Sequence, residues 1–281
     1  MPQLDVPGGH IDYLDTGAGD TLVVLLHAGY VDRRMWDHQI DHLAPHRRVI
    51  APDARAHGQS STPFEPFRQC DDVAALIRHL DAGPAILIGT SMGAGTAVDT
   101  ALEYPELVKA LVISGAGTNE PVFEDPWSLS QLARLQRAMD AMDAAAWIAA
   151  ELDYAAGPAR TLDDLDPAVV ERLRTMHGHF VATHVRPGIV PPDHVVGSWE
   201  RLPEINVPLL GIVGELDGAD HHHMCERAVA SVQDGRGVAR VENAGHYPNL
   251  ERPAEWDAIV DEFLADLDVV PSADLTSQRR S

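Results

Sequence analysis

The chain has 281 residues, 45% of them hydrophobic, enough for one large folded core carrying a modest insertion. Acidic residues outnumber basic ones 43 to 21, and a formal charge of -22 repels phosphate backbones and anionic membrane surfaces. The expected partner is therefore a small molecule, with no nucleic acid and no membrane, while composition leaves an oligomer open.

Two cysteines, Cys70 and Cys225, lie far apart without the paired spacing of a zinc ribbon or a redox dithiol, which favours a reducing compartment. Met1-Pro2-Gln3-Leu4-Asp5 shows neither the positive nor the apolar region of a secretory signal, so a cytoplasmic protein is expected. Lys109 is the only lysine, a bias to which no chemistry is assigned.

In chain order, Leu4 to Val6 and Ile11 to Leu14 flank Pro7-Gly8-Gly9 as an opening hairpin, and Thr21 to Leu26 reads as a strand buried on both faces. A helix over Met35 to Leu43 leads to a strand over Arg47 to Ala51, and a helix over Cys70 to Leu80 leads to a strand over Ala85 to Ile88. A further helix spans Ala94 to Glu103, and strands follow at Val108 to Ile113, Pro208 to Val213 and Val238 to Val241 before a terminal helix over Pro253 to Leu267. This alternation predicts an α/β fold with a mostly parallel, eight-stranded sheet flanked by helices, its active groups at the carboxyl ends of the strands.

One stretch interrupts the rhythm. From residue 117 to 201 there are no strand-like runs, only helix-like ones such as Leu129 to Leu152 and Pro167 to Phe180, which predicts a helical cap over the strand tips. The expected division is a core of residues 1–116 and 202–268, a cap of 117–201, and a loose tail of 269–281.

Ser91 is the centre of Gly89-Thr90-Ser91-Met92-Gly93, between a buried strand and a helix. A strand that turns abruptly into a helix strains the residue at its tip, and small neighbours make room for it, so Ser91 is the candidate nucleophile. A serine hydroxyl needs an imidazole to take its proton. His246, in Asn243-Ala244-Gly245-His246-Tyr247-Pro248 between the last strand and the terminal helix, is the candidate base. The imidazole in turn needs a carboxylate to hold its tautomer, and Asp217 in Gly214-Glu215-Leu216-Asp217-Gly218 is placed for that. Glu215 and Asp220 are its rivals, with Asp220 expected to cap the helix that begins near His221. His27-Ala28-Gly29-Tyr30 follows the first buried strand, so the backbone N–H groups of Gly29 and Met92 are the candidate oxyanion hole.

The order Ser91, Asp217, His246, with the His27-Ala28-Gly29 loop ahead of them, resembles the α/β-hydrolase superfamily from about Leu4 to Leu267. Asp53-Ala54-Arg55-Ala56-His57-Gly58-Gln59-Ser60 is similar to that family's Asp-x-Arg-x-x-Gly-x-Ser turn, with Ala56 where glycine is commoner, and His57 is read as structural. The capped layout and Ala244 to Pro253 resemble the serine esterase and enol-lactonase branch, carbon-carbon bond hydrolases and cofactor-free haloperoxidases. The resemblance implies an acyl-enzyme on Ser91, hydrolysed by water activated at His246, without a cofactor. A carboxylic ester or lactone hydrolase is the first expectation. Carbon-carbon hydrolysis, perhydrolysis or a biosynthetic ring closure on the same groups, or a ligand receptor on this scaffold, are the others.

Consecutive residues on a helix diverge by about 100°, so His221-His222-His223 does not converge on one ion and no metal site is assigned. No dinucleotide or phosphate-loop motif occurs. His177, His179, His184 and His194 stay unassigned, and Trp127, Met139, Met142 and Trp147 either pack the cap or meet an apolar substrate.

Overall fold

The computed structural model describes residues 1–17 and 19–269. Two strands, β1 (Gln3–Val6) and β2 (Gly9–Asp15), form the opening hairpin, followed by β3 (Leu22–Leu26), α1 (Asp37–Leu43) and β4 (Arg48–Pro52). Then come α2 (Gln69–Leu80), β5 (Ala85–Thr90), α3 (Met92–Glu103) and β6 (Val108–Ser114). The sheet orders its strands β1-β2-β4-β3-β5-β6, with β7 (Leu209–Gly214) and β8 (Gly235–Val241) completing it. Only the β1–β2 and β2–β4 pairings are antiparallel. The eight-stranded, mostly parallel sheet is the expected one.

Alternation along the central strands explains the layers. Val24 and Leu26 of β3, Leu87 of β5 and Leu111 and Ile113 of β6 enter a core shared with α2 and α3, while Val23, Leu25, Ile86, Ile88 and Val112 enter the opposite one. Side chains of one strand point to alternate faces, so a strand buried on both sides reads as an unbroken apolar run.

Between β6 and β7 the chain forms α4 (Pro126–Asp140), α5 (Ala144–Ala156), α6 (Pro167–His184) and the short α7 (Ser198–Arg201). Leu152 and Ala155 of α5 and Leu173 and Met176 of α6 join the second core, so this insertion packs as part of the same hydrophobic body. The single helix expected over Leu129 to Leu152 is two: Met142 adopts φ +52° and the Asp143 carboxylate caps α5 by accepting from Ala146 N–H. A left-handed residue followed by an Asp cap ends one helix and starts the next, a signal outweighed at the sequence level by the apolar periodicity running across it.

After β7 come α8 (Ala219–Ser231), α9 (Pro248–Glu251) and α10 (Pro253–Val269). Asp220 lies within the first turn of α8 rather than at its N-cap, which is Gly218. Its carboxylate instead accepts from the backbone N–H groups of Glu124 and Asp125, tying the start of α4 to the core. Val269 ends α10, and the rest of the expected tail, 270–281, lies outside the described residues. Among the described residues no helix is long and apolar enough to cross a membrane.

Candidate active site

Ser91 stands between β5 and α3 with φ +52° and ψ -115°, a strained conformation for a side chain with a Cβ. The turn is held by its N–H, which donates to Ser114 O at 2.8 Å, and by close contact beneath it: a Cβ on Gly93 would collide with the backbone carbonyls of Leu26 and His27. That contact brings the β3 loop against the start of α3. A Cβ on Gly29 would lie 3.8 Å from the Met92 Cβ, so the two backbone segments expected to supply N–H donors are neighbours beside Ser91.

His246 follows β8 and Asp217 follows β7. The His246 Nδ1 lies 2.9 Å from Asp217 Oδ2, with both side chains buried. Gly115, at φ +64°, stands directly behind this pair; a Cβ there would come 3.1 Å from His246 Cε1. Ser91, His246, Gly29 and Met92 line one cavity of about 640 Å³, within the range that takes a small organic ligand. No hydrogen bond joins Ser91 to His246 among the described residues; their common ground is the cavity wall. Glu215 is exposed and accepts from Asn243 N–H, so of the three acids considered Asp217 is the one at the imidazole.

Asp217 carries more than one partner. Its Oδ1 accepts from Gly218 N–H at 2.7 Å and pairs with His221 Nδ1 at 2.8 Å, while His221 Nε2 meets the Tyr154 hydroxyl of α5 at 2.8 Å. Tyr154 also sets its ring edge against His246 and stacks on Trp127. Burial works to raise the Asp217 pKa, but the two imidazoles outweigh it and hold the carboxyl well below the usual range. The acid is a charge shared by two rings, one of which reaches into the insertion.

The three consecutive histidines part as helix geometry requires: His221 is buried at Asp217, His222 is half-buried and His223 is exposed. Asp217, His221 and His246 do bring potential metal-ligand atoms within 4.8 Å of one another. Both Nδ1 atoms, however, are spent on the carboxylate and His221 Nε2 on Tyr154, so the cluster is wired as a hydrogen-bond chain.

The surrounding loops are tied together by buried hydrogen bonds. Arg55 forms a two-bonded pair with Asp72, Ser60 Oγ donates to Asp53 O, and Ala56 sits at φ +65°, the left-handed position where glycine is commoner. His27 Nε2 accepts from Ala54 N–H and His57 Nε2 from Tyr30 N–H. Burial pushes the His57 pKa down to about 3, which keeps it a neutral acceptor. In the insertion, burial lowers His177 to about 4, and its Nδ1 meets Tyr30 O. His179 and His184 both reach Gly58 O, and His194 lines the cavity. Trp147 packs on Tyr30 and Phe180, Met139 lines the cavity, and Met142 is exposed.

Two cavity residues were not singled out from the sequence. His221 is masked in the sequence by the two histidines beside it, although it stands four residues after Asp217. Glu151 was an unremarked charge, yet Trp147, Glu151 and Tyr154 follow the i, i+4, i+7 spacing of one helix face. A carboxylate on an otherwise aromatic face was the available signal.

Among characterised proteins, 3-oxoadipate enol-lactonase 2 of Acinetobacter baylyi is 28% identical over 82% of this chain and 83% of its own. Among solved structures, a thermophilic esterase from Thermogutta terrifontis superposes with a TM-score of 0.74 at 26% identity, covering 95% of this chain and 99% of that one. The enol-lactonase from Burkholderia xenovorans superposes with a TM-score of 0.71 at 23% identity, covering 94% and 100%, a likeness of fold. The family model of the alpha/beta hydrolase fold matches residues 21–253, and the chain belongs to that family.

Proposed function

We propose that the protein is a serine hydrolase of small to medium carboxylic esters or lactones. The observation that carries this reading is the 2.9 Å contact of the His246 Nδ1 with Asp217, behind a cavity that also holds the strained Ser91. With Nδ1–H donated to the carboxylate, His246 keeps Nε2 free as an acceptor, the tautomer a general base requires.

In the first half-reaction the Ser91 Oγ bonds to the substrate carbonyl carbon as its proton passes to His246 Nε2. The carbonyl oxygen becomes an oxyanion that Gly29 and Met92 N–H groups stabilise, each donor worth roughly 3 kcal/mol at the transition state. Collapse expels the alkoxide, which takes the proton from His246 and leaves an acyl-serine. Water then adds to the acyl carbon while His246 accepts its proton and returns it to Ser91, releasing the acid. Residues 117–201 act as a cap that walls this chemistry from bulk water, over a core of 1–116 and 202–268. The two buried free thiols, Cys70 and Cys225, both pushed up to about 12 by desolvation, suit a cytoplasmic setting.

The relatives support this class of reaction: the names of the proteins compared are enol-lactonase and esterase. The test is Ser91→Ala assayed on a short-chain p-nitrophenyl ester. A loss of several orders of magnitude is expected, and full activity in that variant removes Ser91 from the mechanism. Acid release from a diketone but not from any ester would move the same groups to carbon-carbon hydrolysis.

A further inference from the structure

Among the buried side chains of residues 117–201 left with an unpartnered polar atom, Glu151 is the one that is a carboxyl group and lines the cavity. Glu151 of α5 is 6% exposed and lines the cavity with Ser91 and His246. Its Oε1 is buried without a hydrogen-bond partner, and neither carboxyl oxygen is bonded to another described residue. Buried polar groups are nearly always paired, and an orphan in a binding cavity marks the place of an absent partner.

The surroundings define that partner. Tyr30, Tyr154 and Tyr247 are the titratable groups whose charge couples to Glu151, and each phenol is itself driven upward chiefly by burial, so all three stay neutral. Among the described residues, the one fixed cation on the cavity wall is Arg55, and its guanidinium is committed to Asp72. Most of the remaining wall is apolar, including Leu132, Leu135, Phe180 and Ile189. A carboxyl group in such a place keeps its proton, and desolvation pushes Glu151 up to about 8. A protonated carboxyl has one O–H to donate.

We propose that Glu151 forms a polar subsite, a neutral carboxylic acid that donates a hydrogen bond to an uncharged oxygen of the substrate, a carbonyl, ether or hydroxyl separate from the scissile carbonyl. The substrate class is thereby an uncharged, largely apolar ester or lactone bearing a second oxygen function. This inference rests on the hydrolase reading for the word substrate, but its geometry does not depend on turnover. An ammonium ligand would need the ionised carboxylate, whose charge this apolar wall disfavours; a neutral oxygen needs only the proton already there.

The experiment uses the full-length protein and three ring probes of one shape: cyclohexanone, methylenecyclohexane and cyclohexylamine. Affinities are read by calorimetric titration, which requires no catalysis. In the wild type the ketone binds more tightly than both the hydrocarbon and the amine. Glu151→Leu lowers the ketone-to-hydrocarbon affinity ratio about tenfold, as expected for loss of a buried donor, whereas Glu151→Gln retains most of it through its amide N–H. A ratio unchanged in Glu151→Leu overturns the subsite, and amine binding above ketone in the wild type overturns it in favour of an ionised carboxylate. The wild-type order is read without any variant, so misfolding of one does not shelter the inference. Fluorophosphonate labelling of Ser91 is run in parallel: an unlabelled wild type defeats the hydrolase reading, while a labelled one with the wrong affinity order defeats the Glu151 subsite alone.

Discussion

Two buried carboxyl groups serve the cavity from opposite halves of the molecule, Glu151 on its wall and Asp217 behind His246, and the fold treats them in opposite ways. Asp217, on a loop after β7, accepts from a backbone N–H and pairs with two imidazoles, so it is held as an anion despite its burial. Glu151, on α5 of the insertion, receives nothing and is driven toward its neutral form by the same burial. Burial alone does not decide a carboxyl's charge; the donors aimed at it do. Asp217 is wired to its partners before any ligand arrives, whereas Glu151 waits for one.

The sharpest way to break this contrast is to neutralise the wired acid. Asp217→Asn keeps the shape but removes the charge and the tautomer control, and under the proposed mechanism kcat on a p-nitrophenyl ester should fall about 10⁴-fold. A fall of less than tenfold would mean that Asp217 does not serve His246.

The next effect belongs to Glu151 and to stability. In the folded state burial holds the proton on this carboxyl to about pH 8, while the unfolded chain releases it near the ordinary glutamate value of 4.5. Between those values the native state binds more protons, so this group's contribution makes stability fall as pH rises, by up to about 1.4 kcal/mol per unit, and the decline levels off above pH 8. Glu151→Gln removes that decline. Denaturant melts should show the variant gaining on wild type from pH 5 to pH 8 by a few kcal/mol; parallel curves would mean that the group is ionised in the fold.

The link between the halves is Tyr154–His221–Asp217. His221→Ala leaves Asp217 with one imidazole and frees the Tyr154 hydroxyl, and about a tenfold drop in kcat with little change in KM is expected, since the acid that orients His246 is held less firmly while the cavity wall is largely kept. Tyr154→Phe should act the same way and more weakly. A change confined to KM would place the chain in substrate binding instead.

The smallest effect sharpens the comparison on the core side. Ala56 sits at φ +65° between the hydrogen-bonded side chains of Arg55 and His57, and Ala56→Gly should relieve left-handed strain worth about 1 kcal/mol, read as a modest rise in Tm. A fall in Tm would show that the methyl group's packing outweighs the strain.

Much of this was legible without coordinates where the signals were local. Gly89-Thr90-Ser91-Met92-Gly93 between an apolar run and a helix located the serine turn, because the strain it needs is written in its neighbours. Asp217 follows the unbroken apolar run of β7, and His246 lies between the last strand and the terminal helix, so both were legible from position in the chain. The assignment of Asp220 as a cap failed for a physical reason: an Asp at a helix start looks the same whether it caps its own helix or reaches across to another, as it does to Glu124 and Asp125. His221 is hidden within a run of three histidines, and only its position four residues after Asp217 distinguishes it from its neighbours.

The sequence by itself determined the layered sheet, the serine turn and the chain order of the candidate groups, because apolar runs, small residues and sharp turns are properties of contiguous segments. Only the tertiary structure decided the charge of each buried acid. Asp217 and Glu151 are both carboxylates in the chain, and what separates them is which distant donors fold against them: two imidazoles and an amide at one, an apolar wall at the other. Electrostatic character depends on the distance to groups remote in sequence and on the water they displace, and neither exists until the halves have packed.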